Sequence, residues 1–318
     1  MKRKGMTSAK IALFAFVLVS AVGVSPVCGA EHVQQISEPE DPYRGDSIPK
    51  EMQKEIIEAI KRSDLSYNER NELIDTLKDI WSGDSKLSDS EIDQILIQVS
   101  KLLLTSGDVQ IRWTGYYPWD PSWNHMELSD VHNDLARLAG SKMGISSAYQ
   151  NILRNYASEP DTWFGDQVFH YKISGASTRA EERATWARDY IKNLGNPNEG
   201  YKQLSYSMHY MSDLSNPYHY SPIALLHHGD YENYVGNNWH SGKNYYSTVD
   251  NDLYYYYITD VSDAADNLAN VCNQYFSYID GKVGTYDWQN DATLVSYTRT
   301  CLVHGFRYDA GLINYATR

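Results

Sequence analysis

Within 24 residues of this chain an imidazole and a carboxylate are twice set four positions apart, His209 with Asp213 and His228 with Glu232. A spacing of four puts both side chains on one face of an α-helix, close enough to act on the same spot. Each pair therefore predicts a helix with a polar, donor-bearing face. Pro217 ends the first helix, and His219 follows on the turn, where it can approach from another direction. A single His-x-x-x-Asp pair is an ordinary feature of a helix surface. Two helical pairs and a turn histidine supply five nitrogen and oxygen donors of the kinds that suit zinc.

The surrounding sequence reads as helical too. Leu204, Met208 and Met211 share the face of the first pair's helix that should enter the core. Thr178-Arg179-Ala180-Glu181 has the form of a capping box and predicts a helix start. That helix should stop at Gly195, with Pro197 just beyond. The next should cover 198–214, and long helices are expected over 258–279 and 292–315. The run Tyr254 to Tyr257 is read as packing surface, with contact to a lipid interface as the lesser alternative.

A change of composition near residue 112 divides the chain. Residues 31–112 hold one of the eight Trp, two of the 27 Tyr and one of the ten His. Apolar stripes at helical spacing run through Ile56, Ile57 and Ile60, then Leu73, Leu77 and Ile80, then Ile92, Ile95, Leu96 and Val99. Ser82-Gly83-Asp84 marks a turn between the second and third. These helices carry no chemistry of their own and are expected to form a propeptide or an accessory unit. Before them, Lys2, Arg3, Lys4 and Lys10 precede an uncharged run over 11–24, then Pro26 and Cys28-Gly29-Ala30. That is the layout of a secretory signal peptide, residues 1–30, cut after Ala30. A retained anchor is the alternative, for which the apolar run is short. The expected location is extracellular. In an oxidising compartment Cys272 and Cys301 are expected to form a disulfide, the alternative being two buried thiols. The formal charge of −13 argues against a nucleic-acid surface and suits a protein that gathers cations.

The stretch His209-Tyr210-x-x-Asp213-x-x-x-Pro217-Tyr218-His219, followed by His228-x-x-x-Glu232, resembles the signature of the zinc-dependent phospholipase C family. That family includes bacterial lecithinases and clostridial alpha-toxin and is distantly related to the S1/P1 nucleases. Upstream, Pro160-Asp161-Thr162-Trp163 with His170, and Val131-His132-Asn133-Asp134, resemble its earlier motifs. The likeness covers residues 113–318. It implies an all-α, multi-helix bundle, here preceded by the small N-terminal helical unit.

It also implies two or three zinc ions. Asp161, His170, His209 and Asp213 would hold one, and His219, His228 and Glu232 a second. His132 and Asp213 would share a third with the amino end of an N-terminal Trp. No Trp follows the signal cut, so Trp113, Trp119 or Trp123 would have to be exposed by proteolysis, or His125 would substitute. Asp161 is read both as ligand and as catalytic proton acceptor for a zinc-activated water, with a ligand-only role as the alternative. His227, His240 and His304 are read as surface or core residues. The expected activity is hydrolysis of the glycerol-side phosphodiester bond of phospholipids by a monomer with transient membrane contact and no stable nucleic-acid complex. An S1/P1-type single-strand nuclease and a non-enzymatic, zinc-stabilised binding module are the competing readings. Glu at the end of the second pair, where the nucleases have Asp, favours the phospholipase.

Overall fold

Hydrophobic stripes of helical period run through most of the sequence, and the computed structural model is accordingly almost all helical. It describes residues 29–32, 50–88, most of 91–102, 126–163, 166–220 and 227–318. The expected signal peptide up to residue 28, the candidate N-terminal tryptophans, His125 and the boundary near 112 lie outside the described residues.

The first helices are α1 (Lys50–Arg62) and α2 (Tyr67–Ser82). Ser66 and Glu69 form a reciprocal capping box at the start of α2, and Gly83 closes its end with φ of 76°. Most of the predicted stripe residues are buried: Ile56, Ile60, Leu73, Leu77 and Ile80, and Ile92, Leu96 and Val99 farther on, while Ile57 and Ile95 are partly buried.

From residue 126 onward the described α-helices are α3 (Met126–Lys142), α4 (Ser147–Tyr156), α5 (Ala176–Lys192), α6 (Pro197–Leu214), α7 (His228–Asn237), α8 (Tyr245–Asp250), α9 (Val261–Asn273), α10 (Phe276–Asp280) and α11 (Ala292–Thr317). Helix α6 is the centre. It touches α3, α4, α5, α9 and α11, and nearly every residue from Tyr201 to Leu214 is buried. A helix buried all round must satisfy its polar side chains internally. Ser205 Oγ donates to the Leu153 carbonyl at 2.9 Å, Ser207 Oγ to the Ala180 carbonyl at 2.7 Å, and Ser212 Oγ to Asp309 Oδ2 at 2.9 Å. Close approach of α5 depends on small residues. Ala176, Ala180, Ala184 and Ala187 are all fully buried, and a Cβ at Gly200 would stand 2.4 Å from Ile191 Cγ1.

Three expectations are corrected. The box at Thr178 does not start α5; the helix begins at Ala176 after Gly175, whose φ of 112° makes the sharp turn out of the preceding 3₁₀ segment. One helix over 258–279 is instead α9 and α10. Asp260 caps α9 through the Asp263 amide, and the chain turns at Gln274 and Tyr275 before α10. Cys272 and Cys301 are free, buried thiols rather than a disulfide; they face each other across α9 and α11, and burial together with the neighbouring sulfur pushes the Cys272 thiol well up.

The tyrosine run forms β2 (Tyr254–Tyr257), paired in parallel with β1 (Gly29–His32). Tyr256 is buried and shares a hydrogen bond of 2.7 Å with His304 Nδ1. Arg307 and Arg318 lie over the rings of Tyr254 and Tyr257. Among the described residues no helix is long and apolar enough to cross a membrane.

Candidate metal centre

Among the described residues, the eight singled out from the sequence as ligands, His132, Asp161, His170, His209, Asp213, His219, His228 and Glu232, come to one region. His209 and Asp213 lie one turn apart on α6, 0% and 2% exposed. The helix tightens at its end, where the Asn216 amide donates to the Asp213 carbonyl at 2.8 Å. The chain then enters a 3₁₀ turn, Pro217–Tyr220, that delivers His219. His228 is the first residue of α7, and Glu232 follows one turn later. Asp161 and His170 stand on two 3₁₀ turns, Glu159–Thr162 and Gln167–His170, between α4 and α5. His132 reaches in from α3.

The donors fall into two clusters. In the first, His170 Nδ1 is 2.7 Å from Asp213 Oδ2 and 3.0 Å from His209 Nε2. His209 Nε2 is also 3.2 Å from Asp213 Oδ2 and 3.4 Å from Asp161 Oδ1, which is 3.7 Å from His170 Nδ1. In the second, His228 Nε2 is 2.7 Å from Glu232 Oε1, and His219 Nε2 is 2.9 Å and 3.0 Å from these two atoms. Asp213 links the clusters. Its Oδ2 faces the first, while its Oδ1 lies 3.4 Å from His132 Nε2 and 3.5 Å from His219 Nδ1.

This arrangement fits a cation better than a hydrogen-bond network. The second cluster has three short edges, but each ring nitrogen carries at most one proton. Two protons cannot satisfy three edges. The first cluster has three edges of 3.2 Å or less and again two ring nitrogens, and Asp161 Oδ1 is buried there without a hydrogen-bond partner. Four ligands about 2.05 Å from a tetrahedral zinc stand about 3.3 Å apart, close to the observed spacings.

The protonation energetics divide the donors. Burial pushes the Asp161 carboxyl up to about 8, with Asp213 and Glu232 adding to the shift. Asp213 is held well below the usual range, because the surrounding His209, His219 and His170 outweigh its burial. Glu232 goes down to about 2 against its burial, through His228 and His219. Burial takes His132 down to about 3 and His219 to about 4; such rings keep neutral lone pairs. For His209 burial is outweighed by Asp213 and Asp161, and its pKa rises.

Three neighbours were not found from the sequence. Asn216 Nδ2 donates to Glu232 Oε1 at 3.1 Å. Asp166 faces His170, and the Tyr210 hydroxyl donates to Asp166. Asn216 precedes a proline in an otherwise informative motif, which was the available signal; nothing in the sequence marks Asp166. Of the other histidines, His227 pairs with Asp280 at 3.1 Å, the exposed His240 lies 2.9 Å from Asp134, and His304 packs on Tyr256. A pocket beside Asp213, Glu232 and His132 is walled by Val131, Leu135, Val235 and Leu302.

No family model and no curated protein matches the chain. Among solved structures, the crystal structure of alpha-toxin from an avian strain of Clostridium perfringens is similar with a TM-score of 0.41 and 12% identity. The match covers 60% of this chain and 62% of that one, so the chain spans under two thirds of the toxin structure. The site rests on its own geometry.

Proposed function

We propose that this chain is a secreted, zinc-dependent phosphoric diester hydrolase of the phospholipase C type, acting on the glycerol-side phosphodiester bond of phospholipids. The observation that carries the reading is the pair of buried donor clusters joined through Asp213. Asp161, His170, His209 and Asp213 would hold one zinc, His219, His228 and Glu232 a second, and His132 with Asp213 a third. When bound, such cations supply Lewis acidity to phosphoryl oxygens and bring the pKa of bound water to about 7.

The chain's own residues divide the remaining work. Asp213 would turn Oδ2 to the first zinc and Oδ1 to the site it shares with His132, and so offset the repulsion of adjacent cations. The Asp161 side chain is 11% exposed, against 1% for Asp213 and His170 and 0% for His209. It is the member of the first cluster that water can reach, which supports its role as proton acceptor as well as ligand. The apolar pocket walls next to Asp213 and Glu232 suit a substrate with hydrocarbon beside its phosphodiester. Glu232 and the charge of −13 favour phospholipid over nucleic acid. Secretion is supported by the basic and apolar opening of the sequence, and residues 31–112 are proposed as a propeptide or accessory unit.

The test is metal analysis together with turnover of phosphatidylcholine, bis-p-nitrophenyl phosphate and single-stranded DNA. Two or three zinc equivalents with lipid hydrolysis are expected. Hydrolysis of DNA alone would move the assignment to the nucleases. Zinc without any turnover would make the chain a zinc-stabilised binding module.

A further inference from the structure

The His170 ring lies between two carboxylates. Its Nδ1 faces the first donor cluster, 2.7 Å from Asp213 Oδ2. Its Nε2 faces Asp166 Oδ2 at 3.7 Å. Asp166 is 8% exposed, and two other groups hold it in place. The Tyr210 hydroxyl donates to Oδ2, and Arg179 Nη2 stands 3.7 Å from Oδ1. Arg179 is itself fixed over the Phe169 ring, 4.4 Å from its centroid, and by a hydrogen bond of 3.0 Å to Glu182. Tyr210 directly follows His209, so one turn of α6 supplies both a donor to the cluster and an anchor for Asp166.

A neutral imidazole that offers one nitrogen to a cation must carry its proton on the other. An anion facing that other nitrogen fixes the tautomer and the ring plane and raises the ring's basicity. We propose that Asp166, which belongs to neither donor cluster, is the positioning residue for His170: it keeps the ring proton on Nε2 and so aims the Nδ1 lone pair into the first cluster. Tyr210 and Arg179 hold the Asp166 carboxylate for that task. The inference rests on the zinc reading above.

The experiment titrates the full chain with zinc against a chromophoric chelator, comparing wild type, Asp166→Asn and Asp166→Glu. Asp166→Asn is expected to weaken one zinc site by about 10- to 100-fold and to leave the other unchanged, with partial recovery in Asp166→Glu. In ¹⁵N long-range spectra of the zinc-loaded wild type, His170 is expected as the Nε2–H tautomer. Unchanged zinc affinity in Asp166→Asn, even with lower stability of the metal-free protein, would reduce Asp166 to a structural acid and overturn the proposal. So would an Nδ1–H tautomer, a measurement that stands even where Asp166→Asn does not fold. Wild-type protein that takes up no zinc overturns the zinc reading itself, and the inference with it.

Discussion

Asp213→Asn isolates the carboxylate that joins the two clusters. The amide is nearly isosteric, and the helix around it is buried and well bonded, so the fold should persist. What changes is charge. At the 2.7 Å separation of Asp213 from His170, a unit pair at an effective dielectric constant of ~20 is worth about 6 kcal/mol. A neutral acceptor keeps roughly half of what a charged one supplies. The expected loss is therefore about 3 kcal/mol for a cation beside it, or about two powers of ten in affinity. Because the same carboxylate would be shared by the first site and the site at His132, more than one zinc should weaken. The assay is zinc competition with far-UV circular dichroism and hydrolysis of bis-p-nitrophenyl phosphate on the same samples. Native dichroism, at least 100-fold weaker zinc binding and a large fall in turnover are expected. Full zinc affinity with undiminished turnover would refute the bridging role and most of the mechanism built on it.

His304 should resist protonation, since burial and then Arg307 take its pKa down to about 4. An unfolded histidine binds its proton near 6.5, so stability should fall as pH drops from about 6.5 to about 4, by up to about 3 kcal/mol, and not further below; an NMR midpoint for His304 at or above 6.5 would contradict this. Gly200→Ala should destabilise the protein by about 1–3 kcal/mol, because the new Cβ meets Ile191 at 2.4 Å; a urea midpoint equal to wild type would show that α5 and α6 separate easily. Cys272 and Cys301 should both titrate as thiols in protein denatured without reductant; finding neither reactive would restore the disulfide.

The helices that bear the metal candidates were legible because their signals are periodic and local. His209 and Asp213, and His228 and Glu232, meet at a spacing that helix geometry fixes. The sequence could not show that Asp213 turns Oδ2 to His170 and Oδ1 to His132 and His219, since that depends on where α3 and the 3₁₀ turns carry those rings. The contact of Tyr210 with Asp166 was missed for the same reason. Their pairing spans 44 positions and starts from a turn with no repeating pattern. The capping signal read from the sequence was the wrong one. The box that forms, Ser66–Glu69, was not singled out, while the Thr178–Glu181 pattern lies inside its helix. There the left-handed Gly175 starts the helix earlier, and Ser177 donates its hydroxyl to Asp266. The disulfide expectation rested on compartment and parity, which carry no information about the geometry of two facing thiols.

The alanine stripe of α5 lies against α6 across a connection of only four residues, 193–196. Contacts between near neighbours in sequence lose little loop entropy and form quickly. The α5–α6 hairpin is thus the expected nucleus of folding for this part of the chain. Among the candidate ligands only His209 and Asp213 belong to it. His132, Asp161, His170, His219, His228 and Glu232 come from segments that join later, so the pocket for a cation is completed after the helices that begin it have met.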